Sequence, residues 1–298
     1  MKRFLQLIII SIIVGLICLF ISQKFTSKHH CDYTVQKLKR QQLLLPLNHE
    51  KLPNMKNLDS DYLDMPFDED NTYSIPYFFG TVGILYNKNV YPNDNFESWD
   101  QLYKVKYKND ILLVDGAREI IGVALNKLGY SLNETHSSYL AEAERNLTHL
   151  GPNVKGVVGD EISMMLEQHE ANVAVVWSGV AAPIVQQNEE FDYVVPKEGS
   201  NLWFDNMVIP KTTQNKAGAY KFMNFLLDAE HSKQNTEWVG YATPNKSARA
   251  QLPASIKNDE RFYPTKEEQV NLEVYKDLGK ETLSEYNERF LNFKMSLK

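Results

Sequence analysis

The chain has 298 residues, 38 acidic against 32 basic, for a formal net charge of −6, and is 43% hydrophobic and 23% charged. That composition belongs to an ordinary globular protein of one large or two smaller domains, and it excludes a disordered chain, a collagen-like repeat and a multi-span membrane protein. The acidic balance speaks against nucleic acid, which calls for a basic face, and suits a cationic ligand. Two cysteines cannot form a disulfide framework.

Met1-Lys2-Arg3 opens on a nearly unbroken apolar run, Phe4 to Ile21, with Lys24 and Lys28 behind it. A basic start before about 18 apolar residues reads as a hydrophobic helix, either a signal peptide or a membrane anchor, over residues 1–28. Lys2 and Arg3 then stay inside, and the remainder of the chain lies outside the membrane. Cys18 follows bulky Ile17, which argues against a lipoprotein signal.

Gln36 to Leu45 reads as a short helix closed by Pro46, followed by a loop rich in Asp, Asn and Pro over 48–72. Ile75 to Tyr86 is apolar and aromatic, broken by Gly80 and Gly83, and predicts a bent strand. Ile111 to Val114 is a short buried strand ending at Asp115. The stripe Ile120, Ile121, Ala124, Leu125 and Leu128 predicts a helix that Asp115 can cap and Gly129 can end. Val173 to Trp177 is a β-branched run expected for a strand covered on both faces. Met207 to Pro210 is another short strand. Ala217 to Trp238 reads as one long helix with Phe222, Phe225 and Leu226 inward, ending at Gly240. Strands alternating with helices indicate an α/β fold with largely parallel sheets.

Searches for reactive chemistry come back empty. No phosphate-binding glycine loop, HExxH or GxSxG pattern is present. Ser178 has no catalytic base to pair with. His29-His30-Cys31 reads as a solvated segment after the apolar run, so no metal, no cofactor and no enzymatic activity are expected. Aromatics and carboxylates do coincide at predicted strand ends: Asp115 with Glu119 one turn on, Trp177, Trp203 with Asp205, and Tyr241. Open α/β sheets bind ligands at the carboxyl ends of their strands. Carboxylates beside ring faces suit an organic ammonium, pairing its charge and adding cation–π attraction of roughly 0.5–2 kcal/mol per ring.

The segments YSIPYFFGT (73–81), SWDQLYKVKYK (98–108), DGAREIIGVALNKLGYS (115–131), NLWFDNMVIP (201–210) and GYATPN (240–245) resemble the spermidine/putrescine-binding proteins of polyamine ABC transporters, from about Asp32 onward. The resemblance implies a two-lobed type II periplasmic-binding-protein fold that holds a polyamine between its lobes and delivers it to an ABC permease. By the same resemblance, the aromatic ligand box falls at Tyr33, Trp177, Trp203 and Tyr241, and the amine-binding carboxylates at Glu119 and Asp205. A late polar contact falls at Tyr275. The family's acidic position before the Ala-Arg-Glu run is Gly116 here, with Asp115 beside it. The family's opening strand-helix-strand unit is absent, so an incomplete first lobe (33–80 and 205–255) is expected beside a complete second lobe (81–204), with 256–298 packing across both. The expected protein is extracytoplasmic and exported or anchored by its apolar segment. The alternative is a truncated, degenerate paralogue with lost or weakened polyamine binding.

Overall fold

The apolar run at 75–86 becomes β1, Ser74–Asn87, the longest strand and one shared by two parts of the sheet. The computed structural model describes residues 32–297, so the apolar run at 4–21, the expected N-terminal helix and His29-His30-Cys31 lie outside the described residues. Among the described residues no helix is long and apolar enough to cross a membrane.

The first helix, α1 (Asp32–Arg40), carries Lys37, Lys39 and Arg40 in its last turn, where cations suit the helix dipole. It stops short of the expected Leu45 because Gln42 takes a left-handed φ of 57° and Leu44 forms a bridge to Pro210. The acidic loop after it winds through short 3-10 turns to Asp68. That fully buried carboxylate accepts from the Tyr73 and Ser74 backbone N–H groups and the Ser74 hydroxyl, fixing the start of β1.

Strands β2 (Ile111–Val114), β3 (Val154–Val158), β4 (Val173–Trp177), β5 (Phe191–Val194), β6 (Ser200–Val208) and β7 (Leu272–Glu273) complete a sheet of order β3-β2-β4-β1-β6-β7, with β5 also on β1. β2 runs parallel to β3 and β4, and β6 parallel to β7. β1 runs antiparallel to β4, β5 and β6. The sheet is therefore mixed, not largely parallel. β1 pairs with β6 over Ser74–Thr81 and with β4 over Val82–Tyr86. Its changeover lies between Thr81 and Val82, and a bulge between Pro76 and Phe78 supplies the expected bend.

Helices α2 (Ala117–Lys127), α3 (Ser137–Leu150), α4 (Ile162–Glu167) and α5 (Ser178–Gln187) cover the β3-β2-β4 part. The predicted stripe holds: Ile120, Ile121, Ala124 and Leu125 are buried. The N-cap of α2 is Gly116, however, without a side-chain cap bond; Asp115 does not cap it. The long helix expected over 217–238 is two, α6 (Lys216–Leu226) and α7 (Ala229–Val239). Asp228 caps α7 by accepting from the Glu230 and His231 N–H groups, which breaks the run. Met223 and Leu227 are buried against Leu52, Leu58, Ile75 and Ile209. Phe222 and Phe225 are therefore turned out to the surface, the reverse of the expected orientation. The last helix, α8 (Gly279–Ser296), lies against α2 and α3. Between α7 and α8 the chain ties to β5 through Arg261 and Asp192 at 2.7 Å and to the early acidic loop through Lys266 and Asp61 at 2.8 Å.

Candidate ligand-binding site

The carboxyl ends of β2 and β4 open onto the point where β1 passes from one partner to the next. Val82 faces Trp177 of β4 and Gly80 faces Trp203 of β6, which sets the two tryptophans opposite β1 residues on either side of Thr81. Thr81 is held on both sides: its N–H donates to Ser178 Oγ at 3.0 Å, and its carbonyl accepts from Trp203 Nε1 at 3.1 Å. Two glycines make room for this packing. A Cβ on Gly80 would stand 2.2 Å from Ser178 Oγ and 2.4 Å from the Trp203 ring; one on Gly179 would stand 2.4 Å from the Tyr241 ring.

Tyr241 meets Trp203 edge-on with centroids 5.7 Å apart, and Phe78 at 5.6 Å. Asp205 lies two residues beyond Trp203 on the same face of β6, in register with Phe78. Its carboxylate has no hydrogen bond or salt bridge to another described residue, and burial pushes its pKa up to about 6. Tyr241 is likewise raised, first by burial, then by the negative charges of Asp205 and Asp160. A desolvated carboxylate among ring edges and faces is chemically suited to an organic cation, whose charge would stabilise the ionised form.

A second group gathers around the first turn of α2. Glu119 folds back over its own helix start, where a Cβ on Gly116 would lie 2.2 Å from Glu119 Oε2. Neighbouring Arg118 is buried in a cage of rings, 4.2 Å from the Tyr275 centroid, 5.1 Å from Tyr286 and 6.0 Å from Tyr33. Its guanidinium donates to the Leu132 and Lys276 carbonyls and to Asn133 Oδ1. Tyr33 and Tyr275 meet edge-on at 6.5 Å. Among the described residues no group of three or more His, Cys, Asp or Glu could hold a metal ion.

A model of the family described as bacterial extracellular solute-binding protein matches residues 32–264. The chain belongs to that family. Among its relatives, the spermidine/putrescine-binding periplasmic protein of Escherichia coli is 39% identical over 83% of this solute-binding protein and 71% of its own length. The putrescine/cadaverine-binding protein of Pseudomonas aeruginosa is 30% identical over 88% and 77%. Two solved structures are similar in fold. One is the spermidine/putrescine ABC transporter substrate-binding protein of Streptococcus pneumoniae, in complex with calcium and HEPES (TM-score 0.84, 43% identity, 95% of this chain and 88% of that one). The other is provisionally described as a spermidine/putrescine ABC transporter from Listeria monocytogenes (TM-score 0.85, 55% identity, 89% and 82%).

In this solute-binding protein the structure brings Trp203, Asp205 and Tyr241 together, with Trp177 opposite Val82 across the changeover, and sets Tyr33 and Tyr275 around Arg118, while Glu119 folds over Gly116. Tyr275 is 1% exposed, a packed element of that cage and not an open contact. Asp115 stands apart: it is exposed, and its carboxylate takes the Lys294 ammonium of α8 at 2.7 Å. That ion pair occupies the group expected to receive a ligand amine. Sequence reasoning missed Phe78, Arg118 and Asp160. Phe78 was hidden inside an apolar strand, and Arg118 reads as a solvated helix residue. Asp160 follows β3, which was not recognised because Lys155 and Gly156 dilute its apolar character.

Proposed function

We propose that this chain is the polyamine-binding component of an ABC importer, taking spermidine or putrescine outside the cytoplasmic membrane and presenting it to the permease. The observation that carries the reading is Asp205: a carboxylate without a partner among the described residues, desolvated beside Trp203 and Tyr241. A protonated amine supplies the missing charge, and the flat rings cover its methylenes. Glu119 takes a second amine in this reading, with Tyr33 and Trp177 as further walls. Membership of a solute-binding family and relatives named for polyamines support it.

The change of partner along β1 at Thr81 and the matching passage of β6 near Trp203 would divide the molecule into two lobes, 33–80 with 205–255 and 81–204. Among the described residues the first of these has fewer strands than the second, in keeping with the reading of an incomplete first lobe. The apolar run at 4–21 would export or tether the protein.

Calorimetric titration of the full-length protein with spermidine and putrescine tests the reading. Asp205→Asn keeps the shape of the side chain and removes its charge, and should weaken binding at least tenfold, about 1.4 kcal/mol or more. Unchanged affinity in the folded variant would remove Asp205 from the site. No heat and no thermal shift with either amine would overturn the function itself.

A further inference from the structure

β2 and β3 run parallel with Val114 opposite Val158, and the Asp115 N–H donates to the Val158 carbonyl at 2.9 Å. The two strands are therefore paired to their very ends, and the turns Asp115-Gly116 and Gly159-Asp160 leave the sheet side by side, roughly one strand spacing of 4.8 Å apart. Both turns lie at the carboxyl ends of parallel strands, where open α/β sheets take their ligands. Three carboxylates collect there and meet different fates. Asp115 is paired with Lys294. Glu119 folds back until its Oε2 stands where a side chain on Gly116 would begin. Asp160 is exposed, and its carboxylate meets no cation and no hydrogen-bond donor among the described residues. Nor is it spent on the helix that follows, since the N-cap of α4 is Glu161, without a side-chain cap bond.

Asp160 also acts on a wall of the candidate site. Its negative charge and that of Asp205 both reach the Tyr241 hydroxyl and, after the larger effect of burial, hold it protonated to higher pH. The two carboxylates come from separate parts of the sheet: Asp160 follows β3 and Asp205 lies in β6, with β2, β4 and β1 between them. Like charges that reach one ring oppose each other's ionisation, and no internal cation offsets either of them among the described residues. A ligand with a positive charge at each end does offset them. We infer that Asp160 is a second anchor of the site: with Glu119 beside it, it receives the amine at the end of the ligand remote from Asp205. This rests on the polyamine reading. Asp160 is solvated where Asp205 is desolvated, so it ionises at little cost and is the weaker of the two anchors.

Calorimetric titrations of the full-length protein with spermidine and putrescine compare Asp160→Asn with Glu167→Gln, which removes the same charge from the exposed end of α4. Asp160→Asn should weaken both amines about fivefold, the upper range of a solvated ion pair, and Glu167→Gln should leave both within about twofold. Asp160→Lys puts a cation in the anchor's place and should cost more affinity than Asp160→Asn. No loss in Asp160→Asn, an equal loss in Glu167→Gln, or a smaller loss in Asp160→Lys overturns the inference. Ligand-free thermal unfolding checks that each variant folds; if one does not, a spermidine-bound crystal structure of the wild type decides. An amine nitrogen within hydrogen-bond distance of the Asp160 carboxylate supports the inference, and amines that all lie elsewhere refute it. Wild-type protein that binds neither amine overturns the polyamine reading and this inference with it. Binding that depends on Asp205 and not on Asp160 overturns this inference alone.

Discussion

Asp205 and Asp115 were both expected to meet ligand amines, and the two regions that hold them treat a carboxylate in opposite ways. Asp205 sits inside β6 between aromatic rings, with burial raising its pKa and no cation beside it among the described residues. Asp115 sits at the exposed end of β2, already paired with Lys294 of the last helix. The difference teaches that the same fold can leave one carboxylate without an internal cation while it pairs another. One region leaves its carboxylate without a partner among the described residues; the other uses the same chemistry to dock α8.

Several measurements can break or sharpen that contrast. The largest effect is expected at Gly179, which lets Tyr241 approach Asp205's neighbourhood. Gly179→Ala places a methyl 2.4 Å from the Tyr241 ring, so it should displace that wall, destabilise the protein by about 1–3 kcal/mol and cut spermidine affinity well beyond tenfold. Calorimetry and thermal unfolding report the two losses together. Wild-type values for both would mean that Tyr241 moves without consequence.

Acidity gives the next largest effect. The Asp205 carboxyl titrates near 6 in the folded protein and at 3.8 when free, so its folded pKa is raised. Its stabilising contribution is present below 3.8 and is lost as pH rises through about 6. Ligand-free protein should thus gain stability from this group between pH 7 and pH 5, measured as the difference in thermal unfolding between wild type and Asp205→Asn. Binding of an amine needs the ionised form, so affinity should fall as pH drops below 6, by up to tenfold per unit. A flat affinity from pH 7 to pH 5 would show that Asp205 is not the group that the ligand neutralises.

The smallest effect belongs to the other region. Asp115→Ala or Lys294→Ala breaks a partly exposed ion pair and should cost no more than about 1 kcal/mol, screened further by salt. Amine affinity should stay within about twofold. A large loss of affinity in Asp115→Ala would return that carboxylate to the ligand site and dissolve the contrast.

The strands richest in β-branched and aromatic residues were legible directly: 111–114 and 173–177 fall where expected, and 75–86 gains one residue at each end. The sheet's direction was not, because apolar runs look alike whether a strand is parallel or antiparallel, and only the long antiparallel β1 makes this sheet mixed. β6 was legible only over Met207–Val208, since Ser200, Asn201, Asp205 and Asn206 dilute its apolar character. One of the residues that hide the strand, Asp205, belongs to the candidate site. Trp203, Asp205 and Tyr241 could be named because long motifs resemble a family, while the Asp115 pairing with Lys294 joins residues far apart in sequence and leaves no local trace. The division of the long helix was legible in principle: Asp228 is a good N-cap, but the apolar residues on either side masked it.

Thr81 carries one more consequence. Its N–H is tied to Ser178 at the end of β4 and its carbonyl to Trp203 in β6, on the two sides of the changeover in β1. The glycine before it is needed for space, since Cβ atoms would collide with Ser178 and Trp203, and so cannot be counted as slack. Any pivoting of the sheet at this point would therefore move the Trp203 indole. On the proposed reading, a ligand that settles against Trp203 would press directly on the point where β1 changes partner, with no relay between them.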